Sequence, residues 1–340
     1  MKNLLLFSLI MLLAPAIALG QRTKGTVYGT CPWLGPHAAD SLARFDFVIL
    51  DMENMFNNYD SLVKIKKINP KIKLICYSNP MEIFDPRIGG RPLQNSWTDE
   101  IYAKYQSWLL KTNKGNKAIF YHGMRMMNLS SACPKINGVI YSEWMANILL
   151  TKALKDTIWD GYTMDNSGGN CAWMYSGKEK IDADNDGKPD ADTTLDRTWS
   201  EGIRIFLTKI RQAKGKDFII IGNKGSVEFS DLFDGKIFED WPNDYLGDKR
   251  DNGWWQCMAN AKKTGPYTIF QVSEKNLKFA IASAALLDNV HVAVWQNNYK
   301  FYPEFRIDFG KPIDTFRQYE NAVIEVDPAK KEAKIFILKK

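Results

Sequence analysis

Two acidic residues in this 340-residue chain each close a short apolar run: Asp165 ends Trp159–Asp165, and Glu239 ends Gly235–Glu239. Such runs, bounded by turn-forming residues, read as buried strands, and each delivers a carboxyl group to a sheet edge. Asn166-Ser167-Gly168-Gly169 follows Asp165, and its glycines let backbone and ligand approach closely. Hydrolysis of a glycosidic bond needs two carboxyls, one charged and one carrying the proton for the leaving oxygen. Asp165 and Glu239 are the candidate pair. Asp240 is the fallback acid, pointing the opposite way if the strand continues through it. For any strand-end aspartate the competing role is to cap the next helix.

The remaining strand ends are polar and aromatic. Asp51, Tyr77, Asn79, Asn166, Asn223, Trp241, Gln271 and Trp295 are the candidate substrate contacts. Trp241, Tyr245, Trp254, Trp255 and Trp295 offer flat faces on which sugar rings stack, with core packing as the competing role for each.

A second constellation is Asp182-x-Asp184-x-Asp186-Gly187-x-x-Asp190. Alternate carboxylates around a glycine turn match the first half of a calcium loop, with Lys188 at the position that offers its backbone carbonyl. Thr193 stands where an EF-hand has glutamate, and Asp192 is the substitute there. A structural calcium ion is the expectation, with no organic cofactor. The only histidines are His37, His122 and His291, and there is no CxxC pair, which argues against zinc or di-iron. No GxSxG elbow is present, so a serine esterase is disfavoured, as is a metal-dependent lyase. His291 lies in an apolar run and reads as a core residue. Among five cysteines, Cys76 reads as a buried thiol, and Cys133 with Cys171 is a candidate disulfide.

These side chains need a frame that gathers strand ends on one face. Short β-branched runs alternate with amphipathic stretches, the order of βα units. Eight runs qualify as strands: 25–30, 45–51, 71–77, 159–165, 217–222, 235–239, 267–271 and 290–295. Helices are expected over 60–68, 97–111, 142–155, 198–213 and 277–287. The fold class is therefore α/β, a single (β/α)8 barrel whose reacting groups sit at the C-terminal strand ends. Residues 118–121 and 126–129 read as a hairpin inserted after strand three, and 322–326 with 334–338 as a small terminal hairpin.

Lys2, the apolar run Leu4–Leu13 and Ala16-Ile17-Ala18 have the layout of a secretory signal cleaved near 18–20. Pro15 and the polar stretch from Gly20 leave that run too short to span a membrane. The expected division is a signal peptide over 1–20, a barrel over 21–312 and a β extension over 313–340. The protein is expected to be exported, to the periplasm or beyond. Net charge is +6, from 45 basic and 39 acidic residues spread along the chain, which disfavours nucleic acid. Eleven tryptophans and fourteen tyrosines favour a carbohydrate partner, and no protein partner is indicated.

Trp159–Asn166, the Asp-rich stretch, Gly222-Asn223 and Ile237–Pro242 together resemble the hypothetical glycoside-hydrolase-like family 15. That bacterial group is similar to the family 114 polygalactosaminidases and the α-galactosidase clan. The resemblance runs from Tyr28 to Pro312 and includes Asp308–Pro312. It implies that Asp165, ending strand four, is the nucleophile and that Glu239 or Asp240, ending strand six, is the acid/base. Residues 322–340 depart from the family's arginine- and asparagine-bearing terminal strands. The function expected is an exported glycoside hydrolase. The alternative is a glycan-binding barrel without turnover, in which the two acids would not converge.

Overall fold

The computed structural model describes residues 21–338 except 23, 30, 32, 86–104, 176–178, 288–289, 296–298 and 311–317. Eight parallel strands close into a barrel: β1 (Lys24–Gly29), β2 (Phe47–Asp51), β3 (Lys73–Ser78), β4 (Gly161–Met164), β5 (Ile219–Asn223), β6 (Gly235–Phe238), β7 (Thr268–Val272) and β8 (Val290–Val294). Each pairs with the next, and β8 returns to β1 with His291 opposite Lys24. The eight expected runs all form barrel strands.

The two-residue period of a strand divides the core in two. Phe47, Ile49, Ile75, Ile219, Ile221, Ile237 and Ile269 fill the barrel interior. Their neighbours Val48, Leu50, Leu74, Tyr162, Ile220, Phe238 and Phe270 belong to the larger cluster outside the barrel. Near the bottom, the buried His291 ring shares a 3.0 Å hydrogen bond with the Thr26 hydroxyl. Burial, and then Lys24, lower its pKa to about 3, so the ring is neutral.

The helices are α1 (Ala38–Leu42), α2 (Tyr59–Ile68), α3 (Tyr141–Ile148), α4 (Asp192–Lys214), α5 (Trp254–Ala261) and α6 (Leu277–Ala284). In α4, Leu195, Trp199, Ile203, Phe206 and Ile210 recur at helical spacing and are buried. Gly202 sits on that same face, where a Cβ would lie 1.6 Å from the Leu129 carbonyl oxygen. Only glycine lets α4 press onto the segment inserted after β3.

That insertion differs from the expected hairpin. Met124–Met126 forms a strand, but its antiparallel partner is Glu82–Phe84. Residues 118–121 form no strand, and Lys111–Thr112 pairs instead with Ile181–Asp182. The helix expected over 97–111 falls partly outside the described residues. Its remainder is a 3-10 turn, Gln106–Trp108, followed by a strand. The terminal hairpin forms from Ala322–Asp327 and Glu332–Ile337 and packs on α6. The expected disulfide does not form: Cys133 and Cys171 are separate buried thiols, and Cys76 is buried as well. The signal-like residues 1–20 lie outside the described residues. No described helix is long and apolar enough to cross a membrane.

Candidate active site

Extending the interior face of each strand by one step brings a set of polar side chains to the barrel mouth. Thr26 leads to Tyr28, Ile49 to Asp51, Ile75 to Tyr77 and Thr163 to Asp165. Ile221 leads to Asn223, Ile237 to Glu239, Ile269 to Gln271 and Ala293 to Trp295. The interior face that fills the barrel lower down thus supplies the chemistry above.

Five of these groups gather at the mouth, with Asp165 at the centre of their hydrogen bonds. Asp165 Oδ2 accepts from the Tyr77 hydroxyl, and its Oδ1 accepts from Asn223 Nδ2 at 2.6 Å and from the Asn166 amide at 2.7 Å. Glu239 lies beside Asn223 and Tyr28, whose polar side chains lower its pKa, and Tyr28 meets Tyr77 edge-on with ring centroids 5.7 Å apart. Burial and the nearby Asp165 charge push the Glu239 carboxyl up to about 7. Burial, and then the Asp165 charge, hold Tyr28 and Tyr77 well above the ordinary tyrosine range, so both keep their protons.

Other expected residues stand near this group. Asp51 is buried at the end of β2, accepts the Glu53 amide at 2.8 Å, and is pushed up to about 6 by burial. The buried Gln271 accepts the Asp240 amide at 2.9 Å, which makes it a brace for the loop after β6. Asp240 is exposed, has φ +49°, and accepts from the Tyr245 hydroxyl at 3.1 Å. Asn166 turns the chain at φ +50° beside Asp165.

Trp295 is 59% exposed and meets Tyr28 edge-on, with ring centroids 6.3 Å apart. Tyr245 and Trp255 are exposed too. Trp241 is not at the mouth. It is fully buried and stacks on Phe270 at 4.2 Å, because the left-handed Asp240 turns the chain back under the barrel rim. Trp254 is likewise buried, donating to the Ser283 hydroxyl.

Three features of the mouth have no place among the sequence expectations. Glu82, from the insertion, is 4% exposed and accepts the Tyr121 amide at 3.0 Å and Asn79 Nδ2 at 3.1 Å. Burial chiefly, and Asp165 in part, push it up to about 7. Tyr28 was findable, since it stands two residues beyond Thr26 on the first strand. Trp173 and Tyr121, both more than half exposed, sit on loops whose sequence carries no period. Beside Glu239 lies a cavity of about 170 Å³, lined by Asn166, Asn170, Trp173, Lys224, Asn243 and Tyr245 among others.

The acidic loop folds as a compact turn. Asp182, Asp184 and Asp186 bring carboxylate oxygens within 4.8 Å of one another. Asp182 accepts the amides of Asp186 and Gly187, and Gly187 supplies the turn at φ +85°. Asp190 accepts the Ala183 amide at 2.7 Å. Its carboxyl is pushed up by burial and then by the charges of the other three aspartates. The Lys188 side chain points to solvent and pairs with Asp186 at 3.4 Å.

A family model described as hypothetical glycosyl hydrolase family 15 matches residues 66–324. No protein with a curated description matches the chain. Among solved structures, a noncanonic maltogenic α-amylase from Thermotoga neapolitana is 10% identical with a TM-score of 0.46, over 80% of this chain and 67% of that one. The catalytic domain of a β-amylase from Paenibacillus polymyxa is 7% identical with a TM-score of 0.49, over 85% and 96%. An HpcH/HpaI aldolase from Desulfitobacterium hafniense DCB-2 is 10% identical with a TM-score of 0.32, over 81% and 87%. Likenesses of this size carry no argument about the reaction.

Proposed function

Because the chain belongs to the hypothetical glycosyl hydrolase family 15, we propose that it cleaves O-glycosidic bonds at the barrel mouth with Asp165 as nucleophile and Glu239 as acid/base. The observation that carries this reading is the meeting of two carboxyls at the barrel mouth, Asp165 held by Tyr77 and Asn223 and Glu239 held near 7 by burial and the Asp165 charge. Glu239 then donates its proton to the leaving oxygen while Asp165 attacks the anomeric carbon and the glycosidic bond breaks. Once esterified, Asp165 no longer carries the charge that raises Glu239. The lowered pKa leaves Glu239 ionised, and as general base it accepts a proton from a water as that water's oxygen bonds to the anomeric carbon and the ester bond to Asp165 breaks.

With Asp165 as nucleophile the reaction is a double displacement with retention. The Asp165 charge felt at Glu239 also speaks for an enzyme over a glycan-binding barrel, in which the acids would stand apart. Exposed Tyr121, Trp173, Tyr245 and Trp295 around the mouth suit a polysaccharide or oligosaccharide chain. The test is a panel of purified polysaccharides with product anomers read by proton NMR. Asp165→Asn is expected to lower turnover by about 10⁴-fold or more while the far-UV spectrum stays unchanged. Retained activity, or inverted product, overturns the assignment.

Two further readings accompany this one. Residues 2–18 support export, which N-terminal sequencing of protein recovered from outside the cytoplasm checks. The converging carboxylates of Asp182, Asp184 and Asp186, with Asp190 and the Lys188 carbonyl on the same loop, suit a structural calcium ion that stiffens the loop after β4. Chelator is expected to lower the melting temperature by several degrees and calcium to restore it; no shift on chelation sinks this reading.

A further inference from the structure

The cavity beside Glu239 is lined on one side by an ammonium group that lacks a strong acceptor. Lys224 follows Asn223 directly at the end of β5, and its Nζ has two long contacts, to Asn170 Oδ1 at 3.4 Å and Glu228 at 3.5 Å. Glu228 is already shared, since it accepts the Gly169 amide at 3.3 Å and the Ser226 hydroxyl at 3.1 Å and also faces Lys236. The charge on Lys224 is therefore only partly offset. Space has been left for it: a Cβ on Gly168 would stand 2.8 Å from Nζ. Asn166 also lines this cavity.

A half-matched ammonium at the wall of a cavity favours a ligand rich in acceptors. A neutral sugar offers hydroxyls, each of which brings a donor along with its lone pairs. A carboxylate brings two oxygens that only accept, and a charge that matches the amine. Resting on the reading of the mouth as a glycosidase site, we propose that this cavity is the subsite for a sugar residue bearing a carboxylate, and that Lys224 determines that preference. Its place beside Glu239 puts the acidic residue on the leaving-group side of the scissile bond. The acceptor is then a glycan containing uronic acid or a comparable acidic sugar.

The experiment compares D-glucuronate, D-galacturonate and D-mannuronate with their neutral hexoses as probes, by ligand-observed NMR titration of the full chain. At least one uronate is expected to bind about tenfold more tightly than its hexose, the scale of one charge-assisted hydrogen bond. Lys224→Met is expected to bring the two within about twofold, and Lys224→Arg, which keeps the charge, to retain the preference. Equal binding of acid and neutral sugars, no binding of any uronate, or a preference that survives Lys224→Met each overturn the proposal. Loss of preference in the arginine variant with an unchanged melting temperature also counts against a charge-based role. Binding is read without turnover, so the two readings fail separately. A uronate preference with no hydrolysis of any glycan removes the hydrolase reading alone, and cleavage confined to neutral glycans removes this one.

Discussion

At the scale of single residues, Asn223 holds the most consequential position. Its amide steadies the Asp165 carboxylate and at the same time holds Glu239 lower than burial alone would leave it. Glu239 must be protonated to donate, so kcat/KM falls as pH rises through its pKa of about 7. Asn223→Ala removes a contact that lowers this pKa. The alkaline limb of the pH profile is expected to move to higher pH by about one unit, alongside a lower maximum. A pH–rate profile that only drops in height, with its limb unmoved, shows Asn223 to be a spacer. The reach of sequence reasoning differs residue by residue here. Asp165, Asn223 and Glu239 are legible because each extends the buried face of an apolar run. Trp241 has the same parity as Glu239, yet one left-handed residue between them sends it into the core. Glu82 is illegible for another reason, since it lies in an irregular insertion where no period marks which way a side chain faces.

At the scale of elements, the barrel strands are legible because both faces are buried, and a doubly buried strand is a continuous apolar run. The insertion is not, because its strands are two or three residues long and pair across tens of positions, Glu82 with Met126 and Lys111 with Asp182. β6 carries an exception to the apolar rule. Lys236 points outward from it, is 1% exposed, has no hydrogen-bond acceptor, and rests its Nζ 3.9 Å above the Phe233 ring. Burial pulls its pKa down to about 7, while an unfolded lysine holds its proton to about 10.4. Between those values the unfolded chain binds more protons, so this residue's contribution to stability rises with pH. Lys236→Met is expected to stabilise by about 1–4 kcal/mol at pH 7, with the gain fading towards pH 10. Denaturant melts at pH 6, 7 and 9.5 check it, and a gain independent of pH places the cause elsewhere than in the ammonium.

At the scale of the whole molecule, the mouth concentrates unfavourable charge. Asp51 is raised to about 6, and Glu82 and Glu239 to about 7, each chiefly by burial. Folded, these groups keep protons that the unfolded chain releases near 4. The stability they lend is therefore full below about pH 4 and is lost as pH rises through 6 to 7. The melting temperature is expected to fall between pH 5 and 7.5, and the double variant Glu82→Gln, Glu239→Gln to flatten that fall by raising the neutral-pH value. An identical fall in the double variant removes these two carboxyls as its cause. Preorganised acids of this kind are maintained against folding stability.

The closure of the barrel has a consequence for how the chain is made. Thr26 and His291 touch across 265 positions, so β1 has one neighbour, β2, until nearly the whole polypeptide has left the ribosome. For most of synthesis the growing sheet presents an unpaired edge, the kind that recruits foreign strands. Late sealing of this sort leaves that edge open during translation. It also keeps the polypeptide loose enough to be threaded, a property that early-locking folds rich in local contacts forfeit.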